Sequence, residues 1–104
     1  MTALVTVLLA YCEGVLRGDP EVLQRLRDSG FDCAEGSWYF SLPALHALLC
    51  SQLEARDEPG YPAFLKQLYA SDLNQRLARQ GARIGIAANH GKVSESLYRL
   101  QRLP

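Results

Sequence analysis

Apolar positions between Ala3 and Arg17 fall into two adjacent helical stripes. Leu4, Leu8, Tyr11 and Val15 form one, and Val5, Leu9, Cys12 and Leu16 the other, so the predicted helix is covered on more than one side. Gly18 stops it, because glycine takes the left-handed conformation that ends helices. Asp19-Pro20 starts the next, with Asp as N-cap and Pro at the first helical position. Val22, Leu23 and Leu26 supply its inward face and Gly30 closes it. Residues 3–30 are expected to form a short antiparallel helical hairpin.

The helical period disappears between Phe31 and Phe40. Gly36 and Ser37 mark a turn there, and Trp38-Tyr39-Phe40 has the composition of a strand. Ser41 is the expected N-cap of a third helix running from Leu42 to about Ala55, with Leu42, Leu45, Leu48, Leu49 and Leu53 inward. Pro43 sits in its first turn, where proline is tolerated. Arg56 to Gly60 is a polar turn, too short to separate domains. Pro62 opens more helix, with Phe64, Leu65, Leu68 and Tyr69 inward. Two readings then stand side by side. Asp72 caps a new helix holding Leu73 and Leu77, or one helix continues to Gln80, since Leu65, Tyr69, Leu73 and Leu77 keep one phase.

After Gly81 the period changes to two. Ile84 and Ile86 alternate with Gly85 and Ala87, as in a half-buried strand. Asn89-His90-Gly91-Lys92 is turn chemistry in which Gly91 takes the positive-φ position. Val93 to Leu100 then returns as the partner strand, a hairpin we favour over a helix aligning Val93, Leu97 and Leu100. The expected fold is a single α+β domain over residues 1–104, with about five helices and a C-terminal β-hairpin packed against them.

Composition supports a packed core. The 104 residues are 48% apolar and 21% charged, and a chain of this size buries roughly two-thirds of its unfolded surface. Ala3 to Tyr11 is nearly all apolar, but no basic residue precedes it and Glu13 and Arg17 interrupt it. It is therefore expected to be a core helix rather than a signal peptide or membrane span. Three widely spaced cysteines, with no C-x-x-C pair, suit a reducing, cytoplasmic setting better than a disulfide scaffold. The formal net charge is zero but unevenly spread. Met1–Glu58 holds four basic against nine acidic residues, a net −5, and Pro59–Pro104 seven against two, a net +5. Such halves attract each other within a fold or between two copies, or expose a surface that faces a polyanion.

Candidates for chemistry are few. His46 stands four residues before Cys50 on the predicted third helix, half of a metal site with no second pair to complete it. A cysteine nucleophile needs a base and an electropositive setting, which the spacing does not provide. His90 lies in a turn. Glu54, Asp57 and Glu58 crowd a helix end and read as solvated rather than as an acid–base pair. Gly81 and Gly85 lack the remainder of a phosphate-binding fingerprint. No catalytic residue, metal site, cofactor or small-molecule ligand is nominated, and an enzyme is not expected.

The richest constellation is the passage Leu77-Ala78-Arg79-Gln80-Gly81-Ala82-Arg83-Ile84 leading into Tyr98-Arg99-Leu100. With the helices before it, residues 42–103 resemble the later part of a winged helix-turn-helix domain, whose last helix runs into a two-stranded wing. The strand that this family places between its first two helices has no counterpart at Arg56–Gly60, and Trp38–Phe40 is the segment available for it. The resemblance implies a last helix in the major groove of double-stranded DNA, carrying Asn74, Gln75, Arg76 and Arg79, with Arg83 and Lys92 on the wing. Those residue types suit base-edge and phosphate contacts.

Two functions follow. The first is a non-enzymatic protein-interaction or self-association module, with a protein partner or a homodimer and no membrane. Its candidate residues are Trp38, Tyr39 and Phe40, since a strand buries only alternate side chains on one face. The alternative is nucleic-acid binding through the basic half. A break near Ser71 with exposed Gln75 and Arg79 favours nucleic acid. An unbroken helix from Pro62 to Gln80 favours protein interaction.

Overall fold

The computed structural model describes residues 3–52, 60–89, 91–92 and 96–103. The helical hairpin is α1 (Ala3–Arg17) and α2 (Pro20–Asp28). Asp19 Oδ1 accepts a hydrogen bond from the Glu21 amide at 3.0 Å, and Pro20 occupies the first turn. The two helices approach closely at Gly14, where a Cβ would meet a methyl of Val22 at 2.7 Å. Any larger residue there would push the helices apart.

Next come two short strands, β1 (Asp32–Ala34) and β2 (Ser37–Phe40), then α3 (Leu42–Ser51). Ser41 caps α3 by accepting from the Ala44 amide at 3.4 Å, and Pro43 lies in the first turn. The expected continuation of this helix through Leu53 to Ala55, the turn from Arg56 to Pro59, and Glu54, Asp57 and Glu58 lie outside the described residues. The fork after Pro62 is settled as two helices, α4 (Tyr61–Ala70) and α5 (Leu73–Ala78). Between them Ser71 is extended, at φ −81° and ψ 161°. Its hydroxyl donates to the Leu68 carbonyl at 2.7 Å, which ends α4, and accepts from the Leu73 amide at 3.4 Å, which starts α5. A serine can compete locally for backbone groups in this way, and here the competition breaks the helix.

The chain closes with β3 (Ala82–Ala88) and β4 (Leu97–Arg102). They are antiparallel, with an irregularity between Ile86 and Ala88. Gly91 has φ +87°, the turn conformation expected of it, while His90 and Val93 to Glu95 are outside the described residues. Among the described residues the return strand is Leu97 to Arg102, which runs two residues past the expected end at Leu100. The hairpin is also half of a larger sheet. Strand order is β1-β2-β4-β3, all neighbours antiparallel, with Trp38 opposite Leu100 and Tyr39 opposite Arg99. The α+β class with five helices holds, and the sheet is wider than the sequence pattern implies.

One face of this sheet builds the core. Cys33, Trp38, Phe40, Leu100 and Ala82 are buried on it, with Leu4, Val5, Leu8, Cys12 and Val15 of α1 and Leu45 and Leu49 of α3 in the same cluster. Trp38 is 0% exposed. Its ring lies 4.9 Å from Phe40, 5.7 Å edge-on from Phe31 and 6.2 Å from Tyr11. The C-terminus of α1 is received by the sheet. Its Val15 carbonyl accepts from the Gly36 amide at 2.9 Å, and its Leu16 carbonyl from the Arg102 guanidinium at 2.6 Å. Gly36 has φ +77°, a conformation that residues with a side chain rarely adopt, and lies against that guanidinium. Such contacts satisfy carbonyls that a helix end leaves unpaired.

Replacing Trp38 with Ala is expected to cost about 3–5 kcal/mol in a denaturant titration followed by circular dichroism. Trp38→Phe should cost far less, because the indole N–H makes no hydrogen bond in the structure. Equal tolerance of both would show that the core does not depend on this ring.

Candidate functional site

An opening into the core lies between α4, α5 and the free side of β3. It is an apolar cavity of about 290 Å³. Its floor is Leu8, Phe40, Leu42 and Leu45, its walls include Leu68, Leu73 and Ile84, and Ser71 stands at the helix break. Its mouth is flanked by Tyr69, 64% exposed, and Ile86, 58% exposed. These are the two most exposed large hydrophobic side chains among the described residues. Tyr69 thus departs from the inward position its helical phase predicts. The break at Ser71 ends α4 one residue after Tyr69, and the last turn overhangs the groove instead of continuing along the core. Tyr98 also lines this cavity; burial, then the Tyr69 hydroxyl beside it and Tyr61, hold its phenol above the ordinary value.

β3 is the outer strand of the sheet, and an open strand edge invites pairing with another chain. Two features blunt it. Asn74 on α5 donates to the Ile84 carbonyl at 3.3 Å and accepts from the Ile84 amide at 2.9 Å, so its amide stands where a neighbouring strand would pair. Further along, the irregularity between Ile86 and Ala88 interrupts the regular pairing. What remains accessible is a side-chain surface rather than a backbone ladder.

The nucleic-acid candidates on α5 divide. Asn74 is turned to β3. Arg76 is held by Asp72, Nε to both carboxylate oxygens at 3.0 and 3.1 Å, and the guanidinium keeps the Asp72 carboxyl below its usual range. Gln75 and Arg79 are exposed, as are Arg83 on β3 and Lys92. α5 is six residues long, with Leu73 and Leu77 committed to the core. The Asp72–Arg76 pair was legible as an i,i+4 spacing, whereas the Asn74 contact joins residues ten apart and has no local signature.

The aromatic triplet divides as well. Trp38 and Phe40 are buried at 0% and 2% exposure rather than displayed on the surface, Phe40 in the floor of the cavity. Tyr39 points to the opposite face of the sheet, half-buried, with the Arg99 guanidinium 5.2 Å from its ring centre.

His46 and Cys50 do come together, Nε2 and Sγ 3.3 Å apart, beside Tyr61 and Phe64. Among the described residues no group of three or more His, Cys, Asp or Glu is arranged to hold a metal. Burial pushes the thiols of Cys12 and Cys33 up. No described helix is long and apolar enough to cross a membrane. No family model, no curated protein and no solved structure matches the chain.

Asn74→Ala is expected to leave the Ile84 amide without its acceptor. Its hydrogen exchange should accelerate while that of Leu100, in the interior strand, keeps its wild-type rate, with a stability loss of about 1–2 kcal/mol. Unchanged exchange at Ile84 would show that the edge is protected by other means.

Proposed function

We propose that the protein is a non-enzymatic protein-interaction module that docks its partner in the groove between α4, α5 and β3, a second copy of the chain being the first partner to test. One observation carries this reading. The two most exposed large hydrophobic residues among those described, Tyr69 and Ile86, stand on either side of an apolar cavity of about 290 Å³. Large side chains facing water beside an unfilled apolar recess are the arrangement in which a partner's aromatic or aliphatic anchor gains most. The blunted edge of β3 directs the contact through side chains rather than through strand addition. The opposite net charges of the two halves of the chain favour a symmetric pair of copies by the same Coulomb attraction.

A second reading, nucleic-acid binding by a winged-helix-like half, is supported by the break at Ser71, which separates α5 from α4 with Gln75 and Arg79 exposed. The pairing of β2 with β4 also supports it, because Trp38–Phe40 then lies beside the wing. Its weakness is the loss of Asn74 and Arg76 to contacts within the protein and the single short turn and a half of α5. Four of the six candidate residues, Gln75, Arg79, Arg83 and Lys92, are left to face a duplex.

For the first reading, light scattering after size exclusion should show a dimer that grows with concentration, weakened roughly 10- to 30-fold by Ile86→Lys or Tyr69→Ser. A strict monomer at high concentration would remove the self-association form. For the second, duplex DNA binding should weaken with salt by roughly 0.9 log units per phosphate contact for each log unit of salt. Arg79→Gln should then alter sequence preference and Lys92→Gln should weaken all sequences alike. Affinity for duplex that does not respond to salt or to these variants would dismiss it.

A further inference from the structure

The recess between α4, α5 and β3 borders the closed core and not only the exposed rim. Leu8 of α1 and Leu45 of α3 line it, and both are 0% exposed. Its volume is about 290 Å³. A dry cavity of about 150 Å³ lined by Leu, Ile and Phe already takes up benzene, so this one has room for a ring and a substituent. The side chains around an apolar space lack dispersion partners on that side, a loss that an inserted molecule makes good.

The lining selects what can enter. Among the described residues that border the recess none is an Asp, Glu, Lys, Arg or His. An ionised ligand would lose its hydration there and find no counter-charge. Rings form part of the wall: Phe40 and Tyr98 stand opposite each other on β2 and β4, ring centres 6.3 Å apart and planes within 13° of parallel. A ring packed against aromatic side chains gains beyond its buried area. The polar groups narrow the choice again. Ser71 is tied to the Leu68 carbonyl and the Leu73 amide, and Asn74 to the backbone of Ile84. The phenols of Tyr98 and Tyr69 remain, and their hydroxyls share a hydrogen bond. Such a bond uses one of their two hydroxyl protons, which leaves one donor and spare lone pairs for a ligand.

We infer that this recess binds a small neutral aromatic molecule with one hydrogen-bonding substituent, the chemistry of a phenol or an indole. The ring packs against Phe40, Leu45 and Ile84, and the polar group meets the hydroxyls of Tyr69 and Tyr98. No partner chain is needed, so the site stands whether or not the rim docks one. A bound ligand competes with a partner's side chain for the same space.

The test is a titration of the isotope-labelled full chain with phenol and with indole, followed by NMR. It is run at a concentration where light scattering shows single copies, so that failure to bind and failure to dimerise are read separately. The amides of Leu73, Ile84 and Tyr98 should shift saturably, with a Kd on the order of 0.1–1 mM. Hexanol, which has the heavy atoms of phenol without the ring, and benzoate, which has the ring and a charge, should each bind about tenfold more weakly. Tyr69→Phe combined with Tyr98→Phe should weaken phenol about 3- to 10-fold relative to toluene. Leu68→Trp, which fills the recess, should abolish the shifts. Ile84→Trp fills it from the strand side should that variant fail to fold, as judged by circular dichroism. The inference is overturned by the absence of saturable shifts with both probes, or by shifts centred elsewhere on the chain. Hexanol or benzoate binding as tightly as phenol overturns it too, as does full affinity in a folded variant whose recess is filled.

Discussion

Burial of one indole ring organises this protein. Trp38 sits on an interior strand with Cys33 opposite on one side and Leu100 on the other. Its ring is enclosed by Tyr11 of α1, Phe31 of the α2–β1 connection and Phe40 of its own strand. A side chain of this size dominates the apolar area a small core can hide. Everything that lies on the far side of the sheet does so because Trp38 lies on this one. Shifting β2 by one residue would exchange the two faces, exposing the indole and burying Tyr39 against α1.

The groove follows from a different constraint, the break between α4 and α5. The single hydroxyl of Ser71 satisfies the end of one helix and the start of the next. The second helix then turns so that Leu73 and Leu77 reach the core and Asn74 reaches the strand edge. The cavity is the space left at that turn, and Tyr69 is stranded on its rim. The structure therefore keeps an apolar opening where the sequence periodicity alone would have filled it.

Much of the architecture was legible locally. Asp19-Pro20 and Ser41 with Pro43 mark helix starts by chemistry that needs no tertiary context, and Ile84 with Ile86 marks a strand by alternation. β1 was not legible, because three residues carry too little pattern and only Cys33 is buried in it. The width of the sheet was hidden for a related reason, since β2 finds its partner some sixty residues away. At the site level, helical phase put Tyr69 inward because phase assumes that the helix continues. Asn74 and Arg76 looked free because side-chain type says nothing about which neighbour a fold will supply. Arg99 was passed over within the very phrase that carried the family resemblance. Its stacking partner, Tyr39, is set by register and not by spacing.

The position of β2 between β1 and β4 also dictates how the molecule comes to exist. Local contacts complete the hairpin of α1 and α2 and the β1–β2 turn early, but they leave Trp38 covered on one flank only. Its other neighbour, Leu100, belongs to a segment made some sixty residues later, and bringing the two together closes a loop of that length. Such closure slows folding because its entropy must be lost before the contact is gained. Until β4 arrives, the chain carries a half-built sheet with its aromatic centre covered on one flank only, so that intermediate is the form most exposed to misassociation.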